Sequence, residues 1–397
     1  MPTERRVLIW MCVLVGTNQL GFGSLLPVLP HLAESYGVAA WAVGLTIGIY
    51  GLARMALAMP AGRLSDYLGR RPTLAIGALI SAVGSFWCAV ATSYPEFVAA
   101  RFVSGAGAGL VLTAGQIVLA DISTPARRGR IMSIYQGTFI FAVGIGPLLG
   151  GLLADSFGMD APFVAYGVAS AVAALVAQLF VAETREMDTA RRTTGPAPAF
   201  LTQIRSLLGN VGFFLVCLVA FIHAVARTGG LFNIVPVIGS VRLGLSYTQV
   251  GFGMAAGIVI GLLIAYPAGV LTDRFGRKVV IVPSTIFTGL SLLLFCFAPS
   301  YAWFVVACLA WGTASSIGSA APGAYAADTA PPGMNASTMS TYRMLGDVGY
   351  FVGPITLGLV VDGFGANTAL VLAAALLVLA GLAFAVFAPE SYRGGKG

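Results

Sequence analysis

The sequence predicts an all-α membrane protein of twelve transmembrane helices in two pseudo-symmetric six-helix bundles, and three observations predict it. Of 397 residues, 58% are hydrophobic and 9% charged, against roughly 25% charged in an average soluble domain. So few charges would leave a soluble body covered in the apolar patches that monomers avoid. Twelve apolar segments reach the about 20 residues that a helix needs to cross about 30 Å of hydrocarbon. The chain also repeats itself: an offset of 207 residues lays Gly62, Leu64, Asp66, Gly69 and Arg70 on Gly269, Leu271, Asp273, Gly276 and Arg277. A secreted domain, a cytosolic enzyme and a disordered regulator are excluded.

The expected spans run over 7–30, 41–61, 72–92, 95–120, 131–154, 162–182, 210–236, 247–271, 279–298, 301–326, 338–361 and 367–388. Span 1 follows Arg5-Arg6, as a signal peptide would, yet it is too long and has no small-x-small cleavage site, so it stays as a helix. Spans 3, 4 and 6 open at Pro72, Pro95 and Pro162, and Pro125 and Pro331-Pro332 fall in loops, positions where a missing amide proton costs least. A polar linker over 183–209, containing Gly195, Pro196 and Pro198, separates bundles at 1–182 and 210–397.

The net charge of +7 comes from short basic clusters between apolar runs, which is a topology signal and not a nucleic-acid surface. With the N-terminus inside, 17 of 22 basic residues lie on the inner side, Arg242 alone lies in an outer loop, and Arg54, Arg101, Arg227 and Arg343 lie within spans. The positive-inside rule therefore places both termini in the cytoplasm and the protein in the inner membrane. Cys12, Cys88, Cys217, Cys296 and Cys308 sit in apolar stretches without CxxC spacing, so they read as packing residues; no metal site and no cofactor is indicated.

The repeat extends to Asp121 on Asp328, Tyr135 on Tyr342, Gly146-Pro147 on Gly353-Pro354, and Phe157-Gly158 on Phe364-Gly365. Six spans preserve orientation, so the halves are parallel repeats, with a translocation path expected at their pseudo-symmetric interface. Gly62-Arg63-Leu64-Ser65-Asp66-Tyr67-Leu68-Gly69-Arg70-Arg71 resembles the G-x-L-x-D-r-x-G-r-r signature of the major facilitator superfamily, and Gly269 to Lys278 repeats it. Leu20-Gly21 with Pro27 to Pro30, Arg101 to Gly107, and Gly146 to Gly151 resemble elements of its twelve-span drug:proton antiporters. The resemblance implies a monomeric secondary transporter of small molecules, surrounded by lipid and driven by protons.

The signature loop has its own physical reading. Asp66, past the end of span 2, is placed to accept from the free amides that start a facing helix, span 11 near Ser337 to Ser340. Arg70 is expected to pair with Asp121, Arg71 extends the basic end, and Gly62 and Gly69 let the backbones approach and turn. Such a cluster is a conformational latch for the outward-open state. The second copy, Asp273 to Arg277, faces a loop without basic residues and is expected to matter less.

A charge at a helix centre costs about 2.5 to 3.5 kcal/mol on insertion scales. Asp347, about ten residues into span 11, lies about 15 Å deep, with Arg343 one turn earlier as its expected partner. Span 1 has no acidic residue before Glu34, so Asp347 is the expected proton carrier, with a fixed structural pair as the alternative. Arg101 resembles the arginine of the antiporters and tunes the proton site or holds an anionic substrate; His223, four residues before Arg227, is a further titratable candidate. Spans 1, 4, 7 and 10 nominate Asn18, Gln19, Phe22, Gln116, Phe221, Asn233, Trp311 and Ser315 as cavity residues, joined by Arg227 and by Tyr135, Gln136, Phe141 and Tyr342. This mix of rings and amides suits lipophilic or amphiphilic molecules. No G-x-x-x-x-G-K-[ST] occurs, so ATP is not the expected energy source. The expected function is proton-coupled export; import of a sugar or organic anion, or a non-transporting scaffold, are the alternatives, and no set of catalytic groups points to an enzyme.

Overall fold

A computed structural model describes residues 2–123, 127–184, 207–318, 320–331 and 335–390. Twelve helical spans cover Arg5–Ser24, Ala40–Ala58, Arg70–Val90, Tyr94–Ile122, Arg130–Phe157, Ala161–Phe180, Val211–Arg242, Tyr247–Thr272, Arg277–Cys296, Tyr301–Asp328, Ser337–Phe364 and Ala366–Phe387. They are numbered 1 to 12 below, and each matches an expected span. The side on which span 1 begins is called the N side, and the opposite side the far side. Most of the linker expected over 183–209 lies outside the described residues.

Three spans depart from a plain α-helix, two of them for a local reason in the sequence. Span 1 stops at Ser24, short of the expected 30, and a separate short helix follows at Leu29–Glu34. Pro27 and Pro30 supply no amide protons to continue the ladder. Span 7 is α-helical over Val211–Val225, widens to a π-helix over Ala226–Ile234, and is again π over Ile238–Arg242. Gly229-Gly230 and Pro236 weaken the ordinary hydrogen-bond register there. Span 10 is α-helical to Ile317 and resumes at Ala320.

The chain forms two compact units that exchange short segments. One comprises residues 1–38, 45–193 and 245–255; the other comprises 39–44, 194–244 and 256–397. In the first, Met11, Leu14, Leu74, Val111, Val118 and Tyr135 form a buried apolar core, and a side chain at Gly107 would collide with Gly77 and Ser81, so spans 3 and 4 pack backbone to backbone. In the second, Arg242 donates to the carbonyls of Phe295 and Cys296 and to Asn367. That side chain covers the orphan carbonyls at the end of span 9, which explains a basic residue in a far-side loop. The five cysteines are unpaired, four of them buried.

Candidate functional site

On the N side of the first unit, the signature loop closes around one arginine. Gly69 turns the chain at φ +102°, and a side chain there would strike the Glu183 carboxylate. The turn starts span 3, whose Arg70 and Arg71 amides donate to Glu183 Oε1 at 2.9 Å and Oε2 at 3.1 Å. A carboxylate at a helix N-terminus is favoured by the unpaired amides and the dipole together. The Arg70 side chain, 3% exposed, reaches Asp121 Oδ2 at 3.0 Å, Asp66 Oδ1 at 3.1 Å and the Ser65 carbonyl at 3.2 Å. Thr184 Oγ1 donates to the same Asp121 oxygen at 2.8 Å.

The second unit builds the same device from residues 207 positions later. Arg277 Nε meets Asp328 Oδ2 at 3.1 Å, Nη1 meets the Thr272 carbonyl at 3.0 Å, and the Arg277 and Lys278 amides donate to Glu390 at 3.2 Å each. The expected Arg70–Asp121 pair is thus formed, and Asp328, the Thr272 carbonyl and Glu390 stand to the second copy as Asp121, the Ser65 carbonyl and Glu183 stand to the first; the Asp273 side chain lies outside the described residues. Glu183 and Glu390 were not anticipated, although they share the 207-residue offset that marks the rest of the loop. Two expectations change. A side chain at Gly62 would meet nothing within 4 Å among the described residues, so no close backbone approach uses that glycine here. Asp66 is 71% exposed and turns back onto Arg70 of its own loop.

The far side carries a second symmetric device. In the first unit, Asp155 at the end of span 5 accepts from the Tyr247 and Thr248 amides at 3.1 and 2.8 Å. In the second, Asp362 at the end of span 11 accepts from the Ala40 and Trp41 amides at 2.7 and 3.1 Å. Each carboxylate caps the start of an exchanged segment, and glycines bring the backbones together: Gly151 against Tyr247 and Gly251 against Pro147, Gly358 against Ala40 and Gly44 against Pro354. All these positions pair at the same offset. His31 stacks edge-on against Tyr247 at 5.2 Å. Burial pushes the His31 pKa down and the nearby Glu34 pKa up.

Within the spans of the first unit, Arg101 is 1% exposed. Its Nε donates to the Thr46 carbonyl at 3.2 Å, its guanidinium lies 4.6 Å over the Tyr50 ring, and its Nη1 has no hydrogen-bond partner among the described residues. Tyr50 Oη is 3.2 Å from Tyr166 Oη, and Phe22 stacks on Tyr50 at 5.1 Å. Gln19 donates to Asn18 at 3.1 Å and Asn18 to Ser170 at 3.4 Å. Asn18, Gln19, Phe22 and Arg101 therefore belong to one polar patch on spans 1, 2, 4 and 6. Tyr50 and Tyr166 were invisible to sequence reasoning, since a tyrosine in an apolar run reads as packing.

Residues 11–266 and 228–397 match the sequence profile of the Major Facilitator Superfamily. The chain belongs to this superfamily. An uncharacterized MFS-type transporter of Methanocaldococcus jannaschii is 22% identical over 90% of this chain and 91% of its own length. The tetracycline resistance protein, class H, of Pasteurella multocida is 25% identical over 85% and 84%. A solved transporter of the POT family, in complex with 5-aminolevulinic acid, superposes with a TM-score of 0.81 at 13% identity over 98% and 99% of the two chains.

In this facilitator the second unit holds the remaining charged candidates. Arg227 on span 7 and Arg343 on span 11 are exposed, Asp347 is half-buried, and both guanidiniums act electrostatically on the Tyr342 hydroxyl. Arg343 and Asp347, expected from their spacing to pair, stand four residues apart on span 11. His223 Nε2 lies 3.2 Å from Thr285 Oγ1. Asn233 and Trp311 are buried, Phe221 and Ser315 half-buried, and Gln116, Gln136 and Phe141 exposed. Tyr135, expected to line the cavity, sits in the apolar core with its hydroxyl unpartnered among the described residues.

Proposed function

We propose that this facilitator exports lipophilic or amphiphilic small molecules in exchange for protons, working by alternating access in the inner membrane with both termini cytoplasmic. The observation that carries the reading is the polar chemistry kept inside apolar spans: a buried guanidinium at Arg101 and a half-buried carboxylate at Asp347, near the middle of span 11. Such groups are costly in a membrane and persist where a pathway uses them. The likeness to a tetracycline resistance protein supports outward drug transport. Two states are supplied by the latch: here Asp66 pairs with Arg70, and in the outward-open state Asp66 caps span 11.

Asp347 is the proton carrier in this scheme. Asp347→Asn, a permanent mimic of the protonated form, should lose uphill export driven by a pH gradient and keep downhill substrate exchange. Both are measured in proteoliposomes, and an unchanged pH dependence of uphill export would refute the role. A second reading, proton-linked transport of an organic anion, is favoured by the charge balance in the interior of the spans, away from their end turns, where Arg54, Arg101, Arg227 and Arg343 outnumber Asp347. Saturable flux of carboxylate-bearing dyes without flux of cationic drugs would select it.

A further inference from the structure

On the N side of the first unit, a cleft of about 350 Å³ is lined by Arg6, Arg71, Leu179, Phe180 and Val181. It lies where span 1 begins, span 3 begins and span 6 ends. Three membrane-spanning helices that terminate together set its depth at the headgroup layer of one leaflet. Arg6 is exposed on its rim, and Arg71 Nε–H is buried with no hydrogen-bond partner among the described residues. Leu179 and Phe180, 66% and 42% exposed, continue the cleft toward the hydrocarbon, and Phe180 is fixed by stacking on Trp10 at 4.2 Å. The carboxylate beside it, Glu183, is engaged by the Arg70, Arg71 and Thr184 amides. Arg70 is engaged by Asp66 and Asp121.

We propose that this cleft is a binding site for an anionic phospholipid, its phosphate held by the Arg6 and Arg71 guanidiniums and its acyl chain laid along Leu179 and Phe180. A buried guanidinium N–H calls for an anionic acceptor. The site is basic at one end and apolar at the other, which matches the order of groups in a phospholipid and not a free anion. The lipid is also the one anionic molecule that the bilayer holds permanently at that depth.

Native mass spectrometry of the purified full chain, titrated with phosphatidylglycerol, phosphatidylcholine or inorganic phosphate, tests this. Wild type should retain one phosphatidylglycerol about tenfold more tightly than phosphatidylcholine, and inorganic phosphate at equal concentration should not displace it. Arg6→Gln/Arg71→Gln should abolish the preference. Arg6→Gln alone, at an exposed position that folding tolerates, should weaken it, and Arg71→Lys, which keeps the charge without the Nε–H, should fall between. Arg63→Gln, on an exposed residue of the same loop outside the cleft, should keep it. Equal retention of the two lipids, displacement by phosphate, or unaltered retention by the variants would overturn the proposal.

Discussion

Arg101 shows what a single residue contributes against stability. Burying a cation without a carboxylate partner costs several kcal/mol, only partly offset by a carbonyl and a ring face. Arg101→Met should therefore leave thermal stability unchanged or raised, while uphill transport is lost; a role in packing alone predicts a lower Tm with transport retained. His31 gives the pH counterpart. Burial holds its pKa below the ordinary 6.5, so the folded chain favours the neutral ring. That contribution is complete above pH 6.5 and declines as pH falls below it. Glu34 is raised from 4.5 by burial, so its contribution is complete in acid and declines as pH rises. Melting curves from pH 8 to 5 should show an acid-side loss of stability that His31→Asn removes. Sequence drew attention to Arg101 and to Arg343 and Asp347 of span 11, because charge in an apolar run is conspicuous. It did not locate Tyr50, Tyr166 or Glu183, whose roles depend on which helices become neighbours.

At the scale of elements, each signature loop is a glycine turn followed by a helix whose first amides are held by a carboxylate from a later span end. Removing such a cap costs about 1 kcal/mol, so Glu183→Ala and Glu390→Ala should each lower Tm by a few degrees and do so equally. Gly69→Ala should cost more than either, since φ +102° is strained for alanine and the new carbon meets Glu183. Calorimetry on the three variants checks the ranking. All twelve spans were legible because hydrophobic length is a local property of the chain. The early end of span 1 was written in Pro27 and Pro30, and apolar length concealed it. The π-helical register of span 7 was not legible, since widening a helix by one residue per turn leaves hydropathy unchanged and depends on what packs against it.

For the whole molecule, the internal repeat extends beyond sequence into hydrogen bonds: Asp155 and Asp362 make the same cap on exchanged segments 245–255 and 39–44, each inside its own unit. A permanent version of this contact would not serve the alternating access proposed above, in which the segments leave the units that hold them. Two caps are suited to the task. Each contributes about 1 kcal/mol, and together about 2 kcal/mol, a change of about thirtyfold in a two-state equilibrium. That is within the few kcal/mol that separate interconverting conformers. Val250, in the first turn of span 8, is 0% exposed, so a cysteine there reacts with a thiol reagent only when its segment lifts away. In a Val250→Cys background with the five native cysteines replaced, Asp155→Ala should raise the labelling rate about fivefold. Asp362→Ala, which acts on the other segment, should raise it comparably if the two segments leave together, and the double variant by about thirtyfold. An increase with Asp155→Ala and none with Asp362→Ala would mean that the segments open independently and that the symmetry is inherited geometry without a shared conformational role.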